Sequence, residues 1–218
     1  MKTKEWYKRK SRDIYVKKAN ELGYVSRSAF KIIEIEKKFK LIKKSNSIIE
    51  LGSAPGGWTQ VILDIKKNNK IIFICIDKNP LEIFFDKKIH FIQEDFHNLE
   101  NIKTKIKNFY TKKFELILSD MAPNTTGHSN TDHLKIVEII NRIIEFNKIF
   151  LNFNGNLILK IFKGSNEKNL ISNLQKQFKS IKYFKPDSSR KNSSEIYHDH
   201  LIKDFVGIEE IVVKYINH

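Results

Sequence analysis

One cysteine, Cys75, occurs in 218 residues. A disulfide framework and a cysteine-based zinc site are therefore excluded, and a lone thiol is compatible with a reducing compartment. Proline and glycine are scarce, at 4 and 8 copies. No Pro/Gly/Ser-rich linker and no internal repeat divides the chain, which predicts one domain over residues 1–218. No apolar run reaches the roughly 18–20 residues that cross a bilayer. The start, Met1-Lys-Thr-Lys-Glu-Trp-Tyr, has no apolar signal core, so secretion is not expected. Acids are also short: 25 Asp+Glu face 40 Lys+Arg, a formal charge of +15. Hydrophobic residues at 40% suffice for a core, so global disorder is excluded. The charge points to a polyanion, nucleic acid or an anionic membrane surface. No amphipathic or lipidation feature supports the membrane, and that option is set aside.

Residues 1–25 form a basic N-terminal segment with Trp6, Tyr7 and Tyr15 interleaved. A helix is predicted from Ser11 to Leu22, closed by Gly23. A second starts near Ser26 or Ser28 and carries Phe30, Ile33 and Phe39 at helical spacing. From Ser47 onward, short β-branched runs alternate with amphipathic stretches. The strand candidates are 47–51, 70–76, 89–92, 114–119 and 156–162; the helix candidates are 57–65, 99–109, 131–150 and 166–178. Further strands are predicted at 181–184, 194–202 and 208–215. The fold class is α/β, with a mostly parallel sheet and helices on both faces. Ligands of such sheets bind beyond the carboxyl ends of the strands.

Strand one ends in Leu51-Gly-Ser-Ala-Pro-Gly-Gly-Trp58. Its spacing, G-x-x-x-G-G, is neither the dinucleotide fingerprint nor a Walker loop, so a diphosphate cradle is disfavoured. A phosphate-free adenosine ligand remains. Asp77 ends strand two, where an acid holds ribose hydroxyls, and Asp95 follows strand three, within reach of an adenine amino group. Each acid alone reads as a cap or a solvated loop residue. In succession with the glycine loop they point to an S-adenosylmethionine pocket. Lys160 interrupts an apolar strand and needs a partner; Asp120, at the end of the neighbouring strand, is the candidate. Taken alone, that pair reads as a structural buried ion pair.

The chain resembles the FtsJ/RrmJ family of ribosomal RNA 2′-O-ribose methyltransferases, bacterial and mitochondrial type. The resemblance is carried in order by Ser-Arg-Ser-Ala-Phe-Lys31, Leu-Gly-Ser-Ala-Pro-Gly-Gly-Trp-Thr-Gln60, Ser-Asp120-Met-Ala-Pro-Asn, Lys160-Ile-Phe-Lys-Gly and Lys-Pro-Asp-Ser-Ser-Arg190. It implies a Rossmann-like, seven-stranded sheet whose last strand is antiparallel. It implies a catalytic tetrad of Lys31, Asp120, Lys160 and Glu195. It also implies S-adenosylmethionine contacts at Gly52, Gly56, Gly57, Trp58, Asp77, Asp95 and Asp120. The expected activity is methylation of a ribose, a uridine, in large-subunit ribosomal RNA, by a monomer working on the large ribosomal particle. Lys160 acts as base or anchors the 2′-oxygen electrostatically, oriented by Asp120. No metal is expected, because the electrophile is already cationic. Lys8, Arg9, Arg12, Arg27 and Arg190 are candidate RNA contacts, with 203–218 as a C-terminal strand and tail. A bacterial enzyme of this kind is expected in the cytoplasm, a eukaryotic one in the mitochondrion or another organelle.

Two departures stand out. The family usually carries Asp where this chain has Glu50, a change that keeps the charge. His198-Asp-His200 interrupts the pattern after Glu195; alternating residues on an edge strand account for it better than a metal site. Lys66, Lys67 and Lys103–Lys107 read as solvated surface, and Cys75 as a small buried hydrophobe. Rival readings are a transfer RNA anticodon-loop 2′-O-methyltransferase, a catalytically silent RNA-binding protein of this fold, and a nicotinamide-dependent oxidoreductase. The glycine spacing disfavours the last.

Overall fold

A computed structural model describes residues 13–84, 89–122, 129–162, 172, 174, 175, 178–189 and 208–215. Along the chain these form α1 (Ile14–Glu21), α2 (Ala29–Phe39), α3 (Leu41–Lys44), β1 (Ser47–Leu51), α4 (Gly57–Ile65), β2 (Ile72–Asp77), β3 (Ile89–Gln93), α5 (Leu99–Phe109), β4 (Phe114–Ser119), α6 (Ser129–Phe150), β5 (Leu151–Phe162), β6 (Phe178–Phe184) and β7 (Ile208–Tyr215).

The strands make a seven-stranded sheet in the order β3-β2-β1-β4-β5-β7-β6. β3, β2, β1, β4 and β5 are parallel, and β7 pairs antiparallel with both β5 and β6. The order reverses at β1 and β4, whose carboxyl ends therefore open a crevice. Period-2 alternation splits the strand side chains between two cores. Ile49, Ile74, Ile117 and Leu157 pack under α5 and α6. Ile48, Phe73, Leu116 and Ile158 pack under α2 and α4. Lys160 falls two residues beyond Ile158, on the α2 side.

Several boundaries differ from the sequence reading. α1 starts at Ile14 because Asp13 caps it, its carboxylate accepting the Tyr15 N–H at 3.1 Å. β5 starts at Leu151, directly after α6, because a register shift against β4 absorbs the residues after it and Asn154 takes φ 60°. The predicted helix 166–178 ends in strand: Phe178 begins β6, paired with Tyr215. Strand 208–215 is present, inserted between β5 and β6, while 194–202 lies outside the described residues. No helix among the described residues is long and apolar enough to cross a membrane.

Lys66 corrects a further expectation. It is 1% exposed, not solvated, and its ammonium donates to the Lys43 carbonyl at 2.9 Å, tying the end of α4 to α3. Burial lowers its pKa, opposed by Glu36 and Glu115. Replacing Lys66 by Ala removes this bond and the packing of a buried side chain, and should cost about 1–3 kcal/mol in urea unfolding. The exposed neighbour Lys67→Ala should stay within about 0.5 kcal/mol.

Candidate active site

The loop from β1 to α4 turns on Gly52, whose φ is +75°. A Cβ there would lie 2.5 Å from Met121 Cγ, so only glycine lets this loop approach the β4 end. The loop is pinned from the neighbouring strand: the Gly52 N–H donates to the Ile76 carbonyl at 2.9 Å and the Ala54 N–H to the Asp77 carboxylate at 2.9 Å. The other Asp77 oxygen accepts the Asn79 N–H at 2.8 Å. Asp77 is thereby held at the end of β2 with a fixed carboxylate plane.

A cavity of about 560 Å³ opens beyond the strand ends. Gly52, Asp77, Asp95 and Asp120 line it, together with Met121 from the β4 loop and Arg142 from α6. Asp95 accepts from the His97 N–H (2.9 Å) and faces its ring nitrogen at 2.8 Å. These two contacts hold its pKa below the ordinary aspartate value. Ser53 Oγ, next to Gly52, is buried with no hydrogen-bond partner among the described residues, but Ser53 is not one of the cavity's lining residues. A glycine with no room for a Cβ and two oriented carboxylates at the ends of adjacent strands suit an adenosine-bearing ligand of polar and cationic groups.

Beside this cavity Lys31, Asp120 and Lys160 converge. Lys160 Nζ lies 2.7 Å from Asp120 Oδ1 and also donates to the Asp120 carbonyl. Lys31 Nζ approaches the same Oδ1 at 3.3 Å. The lysine side chains are 15% and 10% exposed, for Lys31 and Lys160, and Asp120 is 21% exposed. Burial alone would raise the Asp120 carboxyl, but the two ammonium groups outweigh it and hold its pKa below the ordinary value. Three of the four tetrad positions thus meet; Glu195 lies outside the described residues, as do Lys8, Arg9, Arg12 and Arg190.

Other residues expected at the cofactor or RNA have partners within the fold. Gly56, Gly57 and Trp58 are not among the described residues lining the cavity. Trp58 is 2% exposed and its indole N–H donates to the Ser28 carbonyl at 2.9 Å, locking α4 to α2. Gly57 is needed for packing too, since a Cβ would sit 2.1 Å from Ser26 Oγ. Arg27, expected at RNA, is committed within the fold: its guanidinium binds the Asp13 carboxylate and the Ser188 carbonyl, and its side chain is 17% exposed. Glu34 completes this tie by accepting the N–H groups of Asp187 (2.6 Å) and Ser188 (3.1 Å). The helix bearing Lys31 is thus fastened to the turn 186–189.

Sequence reasoning missed the α6 contribution to the cavity. Glu138 and Arg142 show an i, i+4 ion pair, N–O 3.1 Å, a signal visible in the sequence, but nothing local tells that this helix face meets the strand ends. Glu50 was misread. It is 2% exposed, accepts the Thr59 hydroxyl at 2.7 Å and lies near the Cys75 thiol. Burial raises its pKa to about 8, despite the opposing Thr59 hydrogen bond, so the side chain is mainly neutral at pH 7 and the negative charge is not kept. The native carboxyl keeps its proton up to about pH 8, whereas the unfolded one loses it near its ordinary value of 4.5. Stability is therefore fully present below that value and is lost as pH rises toward 8. In urea titrations at pH 5 and pH 8, Glu50→Gln should remove a pH-dependent loss on the order of a few kcal/mol.

Residues 24–201 match the family of FtsJ-like methyltransferases. A ribosomal RNA large subunit methyltransferase E of Wolbachia sp. subsp. Brugia malayi is 42% identical over 192 residues, covering 88% of this chain and 85% of the relative. The protein of the same name from Methanobrevibacter smithii is 38% identical over 192 residues, covering 88% and 90%. A crystal structure of a Plasmodium falciparum protein classed with the ribosomal RNA methyltransferases superposes with a TM-score of 0.74 at 30% identity, covering 88% of this chain and 98% of that one. The sheet with helices on both faces is accordingly a Rossmann-like methyltransferase fold, and the chain belongs to the FtsJ-like methyltransferase family.

Proposed function

We propose that the protein transfers a methyl group from S-adenosylmethionine to a ribose 2′-hydroxyl, of a uridine, in large-subunit ribosomal RNA. It acts as a monomer on the large-subunit particle. The observation that carries this reading is the pair of ammonium groups, Lys31 and Lys160, gathered on one Asp120 oxygen beside the adenosine-sized cavity. Family membership and the names of the two relatives support the RNA substrate. A nicotinamide reading has no such support, since hydride transfer needs no paired lysines at the strand ends.

When bound, S-adenosylmethionine supplies an electrophilic methyl carbon on a cationic sulfur. Asp77 would hold its ribose hydroxyls and Asp95 its adenine amino group, with Gly52 leaving the room. A ribose hydroxyl is a weak nucleophile that must be held in line and relieved of its proton. Lys160, oriented by the Asp120 carbonyl and carboxylate, would either take the hydroxyl proton as base or fix the 2′-oxygen electrostatically while the proton passes to solvent, as the methyl–oxygen bond forms and the methyl–sulfur bond breaks. Lys31, on the same Asp120 oxygen, helps orient that carboxylate. Glu195 is proposed to steady the ribose and Lys160, while Lys8, Arg9, Arg12 and Arg190 hold RNA phosphates around it. A bacterial source would place the enzyme in the cytoplasm and a eukaryotic one in an organelle.

Lys160→Met should lower methyl transfer to undermodified large subunits by about 100-fold or more while leaving RNA affinity within about threefold. Tritium-methyl incorporation checks this, with transfer RNA as the control substrate; wild-type turnover in the variant would sink the proposal. Asp77→Asn should weaken S-adenosylmethionine binding by about tenfold in calorimetry, because an amide can accept only on one side.

A further inference from the structure

The strand carboxyl ends carry the candidate site; the opposite pole of the sheet carries charge that this site does not use. β1, β2, β4 and β5 all begin there, with Ser47 beside Ile72, Ile48 beside Leu116 and Phe114 beside Leu151. The stretches leading into β1, β2 and β4 (40–47, 66–72 and 110–115) together hold eight lysines and one acid. Lys43, Lys44, Lys67, Lys70, Lys112 and Lys113 are all exposed.

Hydrogen bonds join these stretches into one surface. The Ile72 N–H donates to the Asn46 carbonyl (2.9 Å) and the Asn46 N–H to Glu115 (2.7 Å). Lys66 reaches the Lys43 carbonyl (2.9 Å) and Lys113 the Lys148 carbonyl (3.2 Å). Glu115, the one acid of the three stretches, is the acceptor of that Asn46 N–H. The nearby Glu36 accepts the N–H groups of Ile42 (2.7 Å) and Lys43 (3.0 Å). Both acids are committed to backbone donors. Lysines at helix C-termini, such as Lys37, Lys38 and Lys148, are accounted for by the helix dipole. Lys70, Lys112 and Lys113 lie in no helix, so dipole compensation does not explain them.

We propose that this pole is a second RNA-binding surface, which takes the phosphate backbone of a folded segment remote from the nucleotide presented to the cavity. The proposal rests on the RNA-methylating reading above and deepens it. Strands of five and six residues at about 3.3 Å per residue separate the two poles by roughly 15–20 Å. A large folded RNA can therefore reach both, the site through one strand and the pole through another. Lysine suits this task, being a point charge that binds phosphate without reading bases.

The test compares two variants of equal net charge, Lys70→Gln/Lys112→Gln at the pole and Lys103→Gln/Lys182→Gln elsewhere, in binding to full-length large-subunit ribosomal RNA. At low salt the pole pair should bind about tenfold more weakly, with a salt slope reduced by about 2, while the other pair changes by less than about twofold. Turnover at saturating RNA should be unchanged in both variants, so the pole pair raises KM alone. Equal losses in the two variants, or a loss in neither, would overturn the proposal. So would a pole pair that binds RNA normally but loses affinity for anionic phospholipid vesicles. If the wild-type protein transfers no methyl group, the activity reading fails, and the binding comparison still decides the pole.

Discussion

The shared oxygen of Asp120 is the constraint from which the rest of the site follows. Two ammonium groups cannot lie largely out of water without an anion between them. Asp120 supplies it only if β4 and β5 are neighbours and α2 crosses the same sheet face. Both conditions hold: β4 pairs in parallel with β5, and Ala29, Ile32 and Ile35 of α2 are buried on the side to which Lys160 points. The two ammoniums in turn keep the carboxyl ionised in a place where burial would neutralise it. The charge cluster and the core under α2 are one arrangement seen from two sides.

Glu50 resolves the same difficulty in the opposite way. It is buried on the same sheet face, but among the described residues no ammonium lies beside it; its neighbours are the Thr59 hydroxyl and the Cys75 thiol. Without a counter-charge the favourable state is the protonated acid. Two carboxyls at the ends of adjacent strands are thereby assigned different charges at neutral pH, set by whether a lysine reaches them. Around them, the clamp of Arg27 and Glu34 on the 186–189 turn, and the indole of Trp58 on Ser28, hold α2 in register with the sheet.

Much of the fold was legible because it rests on local patterns. The β-branched runs at 47–51 and 114–119 became strands with the expected bounds, and 57–65 and 99–109 became helices, since apolar periodicity and turn glycines act within a few residues. The errors fell where distant partners decide. Phe178 joined a strand rather than closing a helix because Tyr215 of β7 pairs with it from 37 residues away in sequence. β5 lengthened because β4 accepted a bulge. Lys66 looked solvated because nothing nearby in sequence reveals the Lys43 carbonyl waiting for it.

By itself the sequence determined the α/β class, the glycine turn at Gly52, the acids at the strand ends and the need of Lys160 for a partner, because each follows from residue type and short-range spacing. Only the tertiary structure decided that Lys31 and Lys160 meet on one Asp120 oxygen, that Arg27 and Trp58 serve the packing of α2, and that Glu50 is neutral. Charge state and contact depend on which groups are brought together and how far water is excluded, and both are properties of the folded chain.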